Sequence, residues 1–246
     1  MKSNNYFLTV LLALFVCISS CSKEEPVGPT STESSKLTKA GGAYTDGNLL
    51  PTASAPVSQL PQTNAAGIQF FTNRATFKAA CPGQRDAEWF EGSLLPPNAV
   101  GVVFGSLNTF TNDAVYAAGA IKPGISLRAV GNDQIAVLTV GVLGVTSTVV
   151  GPNFFADNLE ITFGHDRVNA IGFDLLDPLF GPSAVTINVF ALDGALIAST
   201  AAVTGTSVPT FLGVRTTRPI GRIDIDDVVS GVAQLVDNLS ADQCNL

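Results

Sequence analysis

Charge is the first thing this chain lacks. Charged residues make up 13% of its 246 positions, 13 Lys and Arg against 20 Asp and Glu, for a net charge of −7 at pH 7. Neutralising a phosphate backbone needs clustered cations, and here the basic residues are scattered singly, which excludes a nucleic-acid binder. The chain has one histidine, His165, set in Gly164-His165-Asp166-Arg167, and it reads as a hairpin-loop residue rather than a catalytic base. No HExxH occurs, no serine sits in a nucleophile elbow, and no Gly-rich phosphate loop separates a strand from a helix. Paired carboxylates can hydrolyse glycosides, and Glu88, Glu91, Asp174, Asp177 and Asp237 offer combinations, but the pattern selects none of them. The chain therefore reads as non-catalytic, with a glycan-active enzyme as the alternative. Long apolar runs are scarce too. A membrane helix needs roughly 20 apolar residues, whereas the run over 6–18 stops at Ser19, with Lys23, Glu24 and Glu25 close behind.

That short run has a polar start carrying Lys2 and ends on small residues, the three-part pattern of a secretory leader over 1–20. Ile18-Ser19-Ser20-Cys21 resembles the lipobox at which a bacterial lipoprotein leader is cut, which implies a mature chain beginning at a lipidated Cys21. Cys17, preceded by Leu14, Phe15 and Val16, fits worse and is ordinary leader. Each buried CH₂ of an acyl chain contributes about 0.8 kcal/mol, so several chains together hold a protein on a membrane. Ser22-Lys23-Glu24-Glu25 resembles the export signal of surface lipoproteins in some Gram-negative bacteria, which implies an outer-membrane, surface-exposed protein; a solvated charge run in a tether is the alternative. Over 21–67 the chain is rich in Ser, Thr, Pro, Ala, Gly and Asn, with Pro26, Pro29, Pro51, Pro56 and Pro61 breaking any regular element. Such composition buries too little apolar surface to offset ordering entropy, so the segment reads as a flexible linker.

What remains, 68–246, suits one domain with a sizeable core. Short segments rich in β-branched residues and Phe predict strands over 100–104, 125–130, 134–140, 159–163, 168–173, 185–192, 195–203, 211–216, 220–225 and 233–239. In Arg222-Ile223-Asp224-Ile225-Asp226 alternation puts both isoleucines on one face and Asp224 and Asp226 on the other. This acidic cluster lacks EF-hand spacing and reads as a solvated outer face. Asp193-Gly194 predicts a hairpin. Only 73–80 looks helical, with Thr72 or Asn73 as N-cap. The expected fold is all-β, an antiparallel β-sandwich or jelly roll with one short N-terminal helix.

Five motifs occur in order: Phe71-Thr72-Asn73-Arg74-Ala75-Thr76-Phe77, Trp89-Phe90-Glu91-Gly92, Ala170-Ile171-Gly172-Phe173-Asp174, Phe211-Leu212-Gly213-Val214 and Val236-Asp237-Asn238-Leu239. The series resembles the β-sandwich domain of bacterial secreted and PEP-CTERM-type surface proteins, although the C-terminal Pro-Glu-Pro, apolar helix and basic tail of that pattern are missing. The resemblance implies a jelly-roll, lectin-like architecture. It also implies a structural calcium ion at Glu91 and Asp237. Calcium takes six to eight oxygen ligands, so Asn238, backbone carbonyls or water would complete the shell; two solvated or paired acids are the alternative. Sugar-binding modules of this shape stack exposed aromatics on pyranose rings, which makes Trp89 and Tyr116 candidate ligand contacts, with buried packing as the alternative for each. Cys81 and Cys244 are the two cysteines left once the leader is removed and Cys21 acylated, and they are predicted to form a disulfide, two separate thiols being the alternative. Two functional readings follow: a surface module binding a glycan or another extracellular polymer, or a structural or adhesive lipoprotein without a small ligand.

Overall fold

A computed structural model describes residues 67–82, 86–164, 167–227 and 233–244. The leader, Cys21, the linker and His165 lie outside the described residues. The chain enters as β1 (Ile68–Phe71), α1 (Arg74–Ala80), β2 (Asp86–Glu88), β3 (Val100–Phe104) and β4 (Leu107–Asn108). It continues through β5 (Ile125–Val130), β6 (Gln134–Leu138), β7 (Val149–Pro152), β8 (Asn158–Phe163) and β9 (Ala170–Leu176). It closes with β10 (Ala184–Ala191), β11 (Leu196–Val203), β12 (Thr210–Thr216), β13 (Ile220–Asp227) and β14 (Leu235–Asp242).

The strands form two antiparallel sheets. One runs β1-β12-β9-β14-β7-β6-β3 with β2 added against β14; the other runs β11-β10-β13-β8-β5-β4. The fold is thus the all-β sandwich expected. Period-2 alternation builds the core: Leu127, Ile161, Ile187, Val189, Ile223 and Ile225 point inward from the smaller sheet and meet Val137, Val150, Ile171, Phe173, Leu175 and Val236 from the larger. The predicted hairpin at Asp193-Gly194 joins β10 to β11, and Gly194 takes φ 80, the left-handed conformation glycine adopts without a Cβ penalty.

Strand β9 is buried at every position because its outer face is covered as well. Asn73 caps α1, its side-chain oxygen accepting the Thr76 N–H at 3.1 Å, and the one fully buried side chain of the helix, Phe77, lies on the sheet. Its seat is a pair of register partners, Gly172 of β9 and Gly213 of β12. A Cβ on Gly172 would come within 2.7 Å of the Phe77 ring, and one on Gly213 within 2.8 Å. Phe71 and Phe211 flank that ring, and the Cys81–Cys244 disulfide closes the cluster, with Cα atoms 5.0 Å apart.

Strand β14 carries a bulge between Asp237 and Ser240, where Asn238 takes φ 48. Val236 and Leu239 are three positions apart yet both join the central core, which regular alternation forbids and one extra residue permits. Asp237, next to the inward Val236, faces outward opposite Asp174, its partner on β9.

Candidate functional site

Beyond β2 the chain makes a tight turn that separates two adjacent aromatics. Glu88 is buried, and its carboxylate accepts the Trp89 N–H at 3.0 Å, the Phe90 N–H at 2.9 Å and the Lys122 N–H at 2.8 Å. Three charge-assisted bonds fix this turn to the loop ahead of β5. Phe90 takes φ 58 and packs fully into the core, whereas Trp89 is 51% exposed. Strand alternation predicts the same split, but the turn produces it. The indole has the Lys122 ammonium 6.0 Å from its ring centroid.

Tyr116 corrects the sequence expectation. Its side chain is fully buried and its hydroxyl donates to the Phe90 carbonyl at 3.0 Å, so it braces the Trp89–Phe90 turn from inside and offers no platform to a ligand. Burial pushes its phenol pKa upward, and the carboxylates of Glu88, Glu91, Asp113 and Asp237 add to that. A tyrosine in a polar, Ala- and Gly-rich loop carries no periodicity that distinguishes inward from outward.

The bulge on β14 brings a set of charged groups together on the outer face of the larger sheet. Arg74 of α1 sits 3.0 Å from Asp174, donates to the Asn238 carbonyl at 3.0 Å and to Ser240 Oγ at 3.2 Å, and stacks over Phe211 at 4.6 Å. Asn238 Nδ2 donates to Asp174 at 2.9 Å and to Asp237 at 3.1 Å. The Asp237 carboxylate also accepts from the Ser147 hydroxyl and from the Asn238 N–H at 2.6 Å. Beside it, Glu91 accepts the N–H and hydroxyl of Thr148 at 2.8 and 3.0 Å. Neighbouring residues thus hold the two carboxylates assigned to calcium. Burial pushes the Asp237 carboxyl up to about 6; the Ser147 and Asn238 hydrogen bonds pull it down, and the Asp174 and Glu91 carboxylates push it up again. The donors are the hard oxygens calcium prefers, and the mutual repulsion of these acids is what a cation would relieve. An ion would, however, replace hydrogen bonds already in place, and among the described residues no group of three or more His, Cys, Asp or Glu side chains is arranged to hold a metal.

Asp224 and Asp226 share the outer face of the smaller sheet, as alternation predicts. Arg222 lies over Phe190, 4.1 Å from its ring centroid, with its Nε 2.9 Å from Asp224 and a guanidinium nitrogen 3.5 Å from Glu160. Asn188 donates to Asp226 at 2.6 Å. Burial pushes the Asp224 carboxyl up to about 6, Arg222 pulls it down, and Glu160 and Asp226 raise it. Ser147 and Thr148 gave no signal in the sequence, lying in an unpatterned Thr146-Ser147-Thr148. Arg74 was visible only as a member of one motif, and Asp174 as a member of another and as one of several candidate carboxylates.

No family model and no curated protein matches the chain. Among solved structures it is similar to family 29 carbohydrate binding modules. One superposes with a TM-score of 0.37 at 13% identity, covering 59% of this chain and 93% of the module. A second, complexed with cellulohexaose, gives 0.36 at 13% identity over 58% and 90%; a third, complexed with mannohexaose, gives 0.34 at 16% identity over 58% and 90%. Overlap this loose yields no residue correspondence, so the reading of the site rests on the chain's own geometry.

Proposed function

We propose that the domain is a non-catalytic binding module for neutral glycans, carried on the outer surface of a bacterial cell by lipid on Cys21. The observation that supports it is the presentation of Trp89: a half-exposed indole whose backbone is clamped by the buried Glu88 and whose neighbour Phe90 is locked into the core. A rigidly held aromatic loses little entropy on binding, and its apolar face suits the C–H face of a sugar ring. The chain's charge of −7 repels acidic polymers and leaves neutral ones as the better partner. Supporting the address are the lipobox at Ile18-Ser19-Ser20-Cys21 and the Lys-Glu-Glu that follows. A structural calcium ion held by Glu91, Asp237 and Asn238 belongs to the same proposal.

A glycan array tests the binding, with Trp89→Ala expected to weaken every positive signal about tenfold or more. Silence across the array, with the protein folded, overturns it. Cys21→Ser is expected to move the protein from the membrane fraction to the soluble one; unchanged retention with the leader attached removes the lipid anchor.

A further inference from the structure

A shallow pocket of about 220 Å³ opens on the outer face of the smaller sheet, between the β4–β5 connection and strands β5 and β8. Gly124 and Gly164, joined by a 2.8 Å backbone hydrogen bond, line it without side chains. Ser126 and Thr162, register partners on neighbouring strands, supply hydroxyls along one side. Asn108 and Phe110 close the other. Phe110 is 86% exposed, and hydrogen bonds hold the backbone of its turn. Asn108 Oδ1 accepts the Phe110 N–H at 2.8 Å, while Thr111 Oγ1 accepts the Asn108 N–H at 2.9 Å and donates to the Ser106 carbonyl at 3.2 Å.

An almost fully exposed Phe on a tight, bonded turn has no packing role among the described residues, and none of the described residues lining the space beside it is charged. Hydroxyls, an amide and one aromatic edge match a neutral polyhydroxylated ring, apolar on one face and hydrogen-bonding around its rim. Beyond the pocket a row of register partners continues across the sheet. Thr162 pairs with Arg222 and Arg222 with Phe190, so the row crosses β5, β8, β13 and β10 over ~14 Å at ordinary strand spacing. Along it the guanidinium, its charge met by Glu160 and Asp224, lies over the Phe190 ring.

We propose that this pocket seats one pyranose ring of the glycan, with Phe110 against its apolar face, and that the oligosaccharide runs across the strands over Thr162 and Arg222 toward Phe190. The assignment rests on the glycan-binding reading above. It adds a second seat, apart from the one Trp89 offers, and gives the direction in which the oligosaccharide runs from it.

Titration of the ¹⁵N-labelled mature chain with mannohexaose, cellulohexaose and the corresponding monosaccharides tests it. Amide shifts are expected at Gly124, Ser126, Thr162 and Gly164, with hexaoses binding more tightly than monosaccharides. Phe110→Ala, a change at an exposed side chain, and Thr162→Val are expected to weaken hexaose binding about tenfold, and the spectrum of each variant reports directly whether it is folded. Wild-type affinity in both variants, with shifts confined to the neighbourhood of Trp89, overturns the pocket and leaves glycan binding standing. No binding of any sugar by the wild type overturns both.

Discussion

Asp237 concentrates the electrostatics of the outer cluster in one carboxyl. Its pKa in the folded chain is about 6, above the ordinary value near 3.9, so the native state holds this proton more tightly than the unfolded chain does. The stabilisation is fully present below about pH 4 and is lost as pH rises through about 6. Asp224, also pushed up to about 6, acts in the same direction. Asp237→Asn, which keeps the shape and removes the charge, should match the wild type near pH 4 and exceed it at pH 7.5 by on the order of 2 kcal/mol, as read by urea unfolding at both pH values. Calcium favours the charged carboxylate, so at pH 7.5 it should raise the wild-type melting temperature and leave the variant's unmoved. If chelator and calcium give one melting temperature, the proposed ion site is absent. Tyr116→Phe removes only the hydrogen bond to the Phe90 carbonyl. It should cost about 1 kcal/mol and loosen the Trp89 turn, weakening glycan binding without any contact to the sugar.

Helix α1 is a single buried ring on a short scaffold, and its stability comes from the sheet beneath it. Phe77→Ala empties the seat over Gly172 and Gly213 and should cost about 3–5 kcal/mol in chemical unfolding. Gly213→Ala drives a methyl into the same ring and should also destabilise, despite the higher strand tolerance of alanine. The helix was legible because a capping Asn73 precedes it, and β5, β8, β10 and β13 were legible because their inward residues alternate with polar ones. Strand β7 was not: it reads Val-Val-Gly-Pro, a turn signal, and it is held as a strand by β6 on one side and β14 on the other. Strands β1, β2 and β4 are too short for periodicity to register. The bulge was not legible either: 233–239 reads as one strand, and apolar residues on both faces, as in β9, hide an inserted residue. The partners of Glu91 and Asp237 left no trace: Ser147 and Thr148 reach them only because β7 pairs beside β14. Tyr116 shows the converse, an aromatic whose burial follows from the loop fold and not from its neighbours in sequence.

For the molecule as a whole, the bond between Cys81 and Cys244 closes a loop over a sequence separation of 163. Loop-closure entropy gives such a bridge up to roughly 5 kcal/mol, so reductant should lower the urea midpoint. Mass spectrometry of the oxidised chain should find neither thiol open to alkylation. Two thiols alkylated under native, non-reducing conditions would remove the bridge and its contribution together. The bond is also a load path. Tension applied between the chain ahead of Ile68 and the chain beyond Cys244 can unzip β1 from β12 and unwind α1, but at Cys81 it passes straight into Cys244 and bypasses every residue between. Trp89, Phe110, Thr162 and Phe190 all lie in that bypassed stretch. A domain wired in this way yields by shedding its first strand and helix, a short and bounded extension, while the surfaces proposed to hold sugar stay folded under the pull.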